Sequence, residues 1–184
     1  MDTKANSKLR VGVLKYRFNY YTNLRIILHK LPEAEYVPVK DIYSLRRSLA
    51  LRVNSALGRP LIPTFDLNNQ FEDFDLNKVD ILHFSNGVSY GKTPWVSSFE
   101  TILPRFSHLV TRHHGAEVEP IQVDALIRRG LDALAGPACK QIIAWSQCSA
   151  NIQKDLLEAL PPEYGVAILP KMRVLHPSQE VLLE

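Results

Sequence analysis

Residues 141–162 read QIIAWSQCSANIQKDLLEALPP, and the fold turns on how this stretch is parsed. Gln141–Trp145 is a short apolar run of strand length. Ser146 or Ser149 then offers a capping hydroxyl, a helical pattern continues through Leu160, and Pro161-Pro162 stops it. Met172–Leu175 (MRVL) follows as one more short strand. Strand, helix and strand in succession make one unit of an α/β sheet.

The same alternation runs outward from that unit towards the amino terminus. Leu9–Lys15 (LRVGVLK) predicts the first strand, and Thr22–Leu31 a helix with Leu24, Ile27, Leu28 and Leu31 at three-to-four spacing. Tyr36–Val39 is a second strand. Asp41 caps a helix whose stripe of Ile42, Leu45, Leu49, Val53 and Ala56 is expected to cover the sheet, with Gly58 and Pro60 ending it. Residues 61–78 lack a period and read as an irregular connection pinned by Phe65, Phe71 and Phe74. Val79–Phe84 (VDILHF) is a buried strand before the Asn86-Gly87 turn; Trp95–Phe99 and Leu109–Thr111 are further strand candidates. Pro120 stands where a helix striped by Val123, Leu126, Ile127, Leu131 and Leu134 would begin, and Gly136-Pro137 closes it. Five or six strands separated by helices predict a single α/β domain over residues 1–184. It is Rossmann-like in layout, with a mainly parallel sheet, helices on both faces and right-handed crossovers.

Composition bounds the function. Of 184 residues 46% are hydrophobic, which excludes a disordered chain. No run approaches the roughly 18 apolar residues of a membrane span, and the polar first ten residues lack the apolar core of a secretory signal. Cys139 and Cys148 match neither a metal nor a redox spacing and are expected to be small buried hydrophobes; the expected location is cytoplasmic. Residues 1–60 carry twelve Lys/Arg against four Asp/Glu, while residues 61–100 carry two against six. So basic a first third suggests an anionic partner, the alternative being a solvated basic face. Arg46, Arg47 and Arg52 beside an apolar stripe are compatible with peripheral contact to an anionic membrane, with core packing the favoured account of the stripe.

Ligands of open α/β sheets sit at the carboxyl ends of the strands. After the first strand comes Tyr16-Arg17-Phe18-Asn19-Tyr20-Tyr21, without the glycines a dinucleotide requires, which argues against a nicotinamide-dependent dehydrogenase. Tyr16 and Arg17 there suit contact with a sugar or a phosphate, the alternative being a partly packed loop. Gly87–Thr93 is similar to a phosphate-binding loop, but it has three residues between its glycines instead of four and no following helix, so an NTPase is rejected. Its glycines are expected to let the chain turn sharply near the ligand. Adjacent His113 and His114 would face opposite ways on a strand, which disfavours a shared metal ion, and no hydrolase triad spacing is present. His83 reads as a core histidine bonded to backbone, and His108, His113 or His114 as a donor to substrate oxygens. Glu100, at the end of an apolar run, is placed to orient a hydroxyl or act as a base; the alternative is an ion pair with Arg105 or Arg112.

Asp80-Ile81-Leu82-His83, Phe99-Glu100, Ala144-Trp145-Ser146 and the closing Lys171–Pro177, in that order, resemble the amino-terminal half of GT-B glycosyltransferases, in particular the retaining family 4. The resemblance implies an acceptor-binding domain with Glu100 as the polar candidate for catalysis. Tyr16, Arg17, Asn86, Gly87, His113 and Ser146 would line the cleft. It implies a sugar acceptor and a nucleotide sugar as partners, no nucleic acid, no cofactor and no metal. The nucleotide sugar would be held mainly by a carboxy-terminal domain that these 184 residues do not include, so transfer by this chain alone is not expected. Two departures stand out: no glycine-rich first turn, and Phe99 where many members have His. The competing expectation is a non-catalytic Rossmann-like module for an anionic ligand or a protein partner.

Overall fold

The computed structural model describes residues 8–14, 31–110 and 121–176. The strands are β1 (Leu9–Leu14), β2 (Ala34–Val39), β3 (Gln70–Phe71), β4 (Ile81–Ser85), β5 (Val88–Ser89), β6 (Trp95–Phe99), β7 (Cys139–Ala144) and β8 (Met172–Val174). The helices are α1 (Ile42–Ala56), α2 (Phe65–Asn68), α3 (Ser107–Val110), α4 (Ala125–Ala135), α5 (Gln147–Glu158) and α6 (Pro162–Ile168). Six strands form one sheet in the order β2-β1-β4-β6-β7-β8, every neighbouring pair parallel, and β3 pairs with β5 in a small second sheet. The result is a Rossmann-like α/β layout, a parallel sheet flanked by helices. The expected helix Thr22–Leu31 and the Tyr16-Arg17 turn lie outside the described residues, apart from Leu31 itself.

Strand alternation puts Leu82, Phe84, Trp95, Phe99, Ile142 and Ala144 into the main core, where α4, α5 and α6 add Ile127, Leu131, Leu134, Leu156, Leu157 and Ile168. Phe71 of β3 stacks on Phe84 at 5.0 Å, and Phe84 meets Trp95 edge-on at 6.0 Å. Of the three phenylalanines expected to pin residues 61–78, only Phe71 does so fully. Phe65 is 40% and Phe74 65% exposed, and the segment holds α2 and β3 where no element was expected.

Four further expectations are corrected. Residues 107–110 form α3, not a strand, because Asp66 accepts both the Ser107 N–H and its hydroxyl, at 2.7 and 2.8 Å, at the start of the turn. α4 starts after Asp124, whose carboxylate accepts the Ile127 N–H at 2.7 Å. Pro161-Pro162 both ends α5 and opens α6, since proline suits a first helical turn. Finally, α1 has the expected Asp41 cap, but its buried residues are Tyr43 and Ala50; Leu45 and Leu49 of the stripe face outward.

Candidate functional site

Chain direction across the sheet reverses between β1 and β4: β2 lies on one side of β1, whereas β4, β6, β7 and β8 follow in order on the other. The carboxyl ends flanking that reversal form the crevice where α/β sheets bind ligands. Asn86 follows β4 there, at the expected Asn86-Gly87 turn, and it is the asparagine that takes the left-handed conformation, with φ 58°. Asparagine tolerates this left-handed conformation. Its N–H donates to the Ser98 carbonyl at 2.7 Å, and its Oδ1 accepts the Glu100 N–H at 3.3 Å. Gly87 packs its bare Cα side on Phe84, where a Cβ would come within 3.2 Å of the phenylalanine Cβ. Asn86 and Gly87 are both buried, so they shape the edge from beneath.

Glu100 stands one residue past β6. Its carbonyl accepts the Ser149 hydroxyl, while Ser146 caps α5 by accepting the Ser149 N–H at 3.0 Å. Because the Ser149 proton goes to Glu100, the 2.9 Å contact between the two serines runs from Ser146 to Ser149. Ser146 is thus engaged in both directions, leaving it a lone pair for a ligand. One bonded chain, Asn86–Glu100–Ser149–Ser146, ties together the carboxyl ends of β4, β6 and β7. The Glu100 side chain is half-buried and meets no cation or donor among the described residues. Arg105, offered as its ion-pair partner, instead lies over the Phe65 ring at 5.8 Å; Arg112 lies outside the described residues. So do Tyr16, Arg17 and His113.

Two histidines among the described residues have side-chain partners. His83 bonds the Ser98 hydroxyl at 3.1 Å, not backbone, and burial holds its imidazole below the ordinary range. His108 is a surface partner of Asp124 at 3.3 Å. Among the described residues no three His, Cys, Asp or Glu side chains converge as metal ligands. Cys139 is buried and free, but Cys148 is exposed, contrary to expectation.

The loop similar to a phosphate cradle does hold an anion, one of the chain's own. The N–H groups of Lys92 and Thr93 donate to Asp75 Oδ1 at 2.7 and 3.1 Å, and a Cβ on Gly91 would sit 2.8 Å from that oxygen. Desolvation pushes the Asp75 carboxyl up, but these bonds and the Lys92 charge outweigh it and hold the carboxyl below its ordinary range. At this amino end of the sheet a cavity of about 570 Å³ is lined by Tyr90, Lys92, Arg129, Asp132 and Lys140. Arg129 lies 3.7 Å over the Tyr90 ring, donates to the Tyr43 hydroxyl at 2.7 Å and is 3.8 Å from Glu72. Sequence spacing carried no signal for this cluster, whose members come from α1, α4 and two loops. The chain matches no known family model, no curated protein and no solved structure.

Proposed function

We propose that the carboxyl edge binds a hydroxyl-rich acceptor and that the chain is the acceptor-holding amino-terminal half of a GT-B glycosyltransferase. The nucleotide sugar is carried mainly by a second domain, and the chain works in the cytoplasm. One observation carries this assignment: the Glu100 carboxylate is half-exposed and without a partner among the described residues, while its backbone is bonded on both sides. A carboxylate held in this way accepts hydrogen bonds from sugar hydroxyls, orienting one and taking its proton as the hydroxyl oxygen bonds the donor's anomeric carbon and the bond from that carbon to the departing nucleoside diphosphate breaks. The N-terminal turn of α5 adds its positive dipole end beside the donor diphosphate. No cofactor enters this scheme.

Saturation-transfer NMR with a panel of glycans and glycolipids tests it. Binding to at least one hydroxyl-rich member, weakened about tenfold or more by Glu100→Gln, is the expected result. Binding to none, or affinity untouched in Glu100→Gln, overturns it. The alternative, a module for a phosphorylated or carboxylated ligand, is favoured by the amino-end cavity, where Lys92, Arg129 and Lys140 outnumber Asp132. Binding of inorganic phosphate that survives Glu100→Gln and is lost in Lys140→Glu would establish it instead.

A further inference from the structure

The leucines of α1 point away from the core. Leu45 is 70% and Leu49 63% exposed, whereas Tyr43 and Ala50 are buried. Side chains advance by about 100° per residue around a helix, so Leu45, Leu49, Arg52 and Ala56 form one strip on the side away from Tyr43 and Ala50. Asn54 bonds the backbone of Ile62 twice, at 2.9 Å each, and folds the following turn back beside the helix, with Leu57 and Leu61 also exposed. Between Ile42 and Phe65 the chain carries Arg46, Arg47, Arg52 and Arg59 and not one acid. Arg46 and Arg52 are exposed, while Arg47 is half-buried on the inner side.

An exposed leucine strip alone would suit several partners; the exposed guanidinium groups of Arg46 and Arg52 beside it, in a stretch of sequence without an acid, narrow them. Two copies meeting face to face would set Arg46 and Arg52 against their own symmetry mates. A surface that is anionic outside and apolar just beneath satisfies both features at once. We infer that α1 docks the chain on an anionic lipid bilayer, lying in the plane of the interface. Leu45 and Leu49 enter the boundary between headgroups and acyl chains, and Arg46 and Arg52 meet lipid phosphates. No helix of the described residues is long and apolar enough to cross a membrane, so the contact is peripheral. Docking of this kind is independent of what the carboxyl edge binds.

Flotation with vesicles of phosphatidylcholine alone, and of phosphatidylcholine mixed with phosphatidylglycerol, tests the inference on the whole chain. The chain is expected to float with the mixed vesicles only, and less as salt screens the arginines. Leu45→Ser with Leu49→Ser should lower partitioning about tenfold, at unchanged circular dichroism. Arg46→Glu with Arg52→Glu should lower it at least as much, and decides alone if the serine variant loses helix signal. Absence of flotation, equal flotation with neutral vesicles, or serine and glutamate variants that float like the parent each overturn the inference. So does concentration-dependent self-association abolished by the serine variant, or capture of polyglutamate, with the anionic vesicles left bare.

Discussion

At position 130 only a hydrogen fits. A Cβ on Gly130 of α4 would lie 2.7 Å from the Phe106 ring and 2.9 Å from Pro104, both too stiff to withdraw. Alanine normally strengthens a helix by about 1 kcal/mol over glycine. Here overpacking outweighs that gain, and Gly130→Ala is expected to destabilise the fold by about 1–3 kcal/mol in urea titration. Gln153, fully buried, matters for the opposite reason: its amide accepts the Leu103 N–H at 2.6 Å and donates to the Leu103 carbonyl at 2.8 Å. Gln153→Leu leaves both backbone groups buried without partners and should cost about 3 kcal/mol by the same measurement. Asp75 carries a pH signature. Its carboxyl loses the proton more readily folded than unfolded, so its stabilisation is complete above the unfolded value of about 3.9 and is lost as pH falls through the lower folded one. Asp75→Asn is therefore expected to flatten the acid limb of stability against pH. Both the glutamine and the aspartate were illegible in the sequence, since their partners lie 50 and 17 positions away.

Elements were legible where periodicity and caps agreed. β1, β2, β4, β6, β7 and β8 fall where short apolar runs predict them, and Asp41 caps α1 as its position implies. What periodicity could not show is which stripe faces inward. A row of leucines at helical spacing defines a face, but the side chains that fit the space beside β3 are Tyr43, ringed by Tyr90 at 6.0 Å, and Ala50. Thermal or urea unfolding separates the two orientations: Tyr43→Ala should cost about 3 kcal/mol and Leu45→Ala about 0.5 or less. α6 escaped notice because a Pro-Pro pair reads as a stop, although its second proline occupies a first helical turn. Of the candidate site, Glu100 and Ser146 were legible because strand ends and caps are local features. The bond from the Ser149 hydroxyl to the Glu100 carbonyl was not, because it requires the tertiary approach of residue 100 to α5.

Taken whole, the sheet has two ends of different character. The carboxyl end bears a carboxylate and the start of a twelve-residue helix, and the amino end bears the cationic cavity. One edge strand, β2, carries Pro38, which has no N–H to offer a neighbouring sheet and so guards against edge-to-edge pairing. The two cysteines report on integrity of the whole. Burial pushes the Cys139 thiol up to about 11, whereas Cys148 is exposed on the first turn of α5. A thiol reagent at neutral pH is expected to label one cysteine promptly in the native chain and the second only on unfolding, as read by mass spectrometry. The hook of Gln153 on Leu103 has a consequence at this scale too. Ser149 holding Glu100 and Gln153 holding Leu103 tie residues 100–103 to α5 at two points. The Leu103 amide can then trade its hydrogen for deuterium only when α5 lifts off the sheet, which makes that single proton a clock for opening of the entire carboxyl edge.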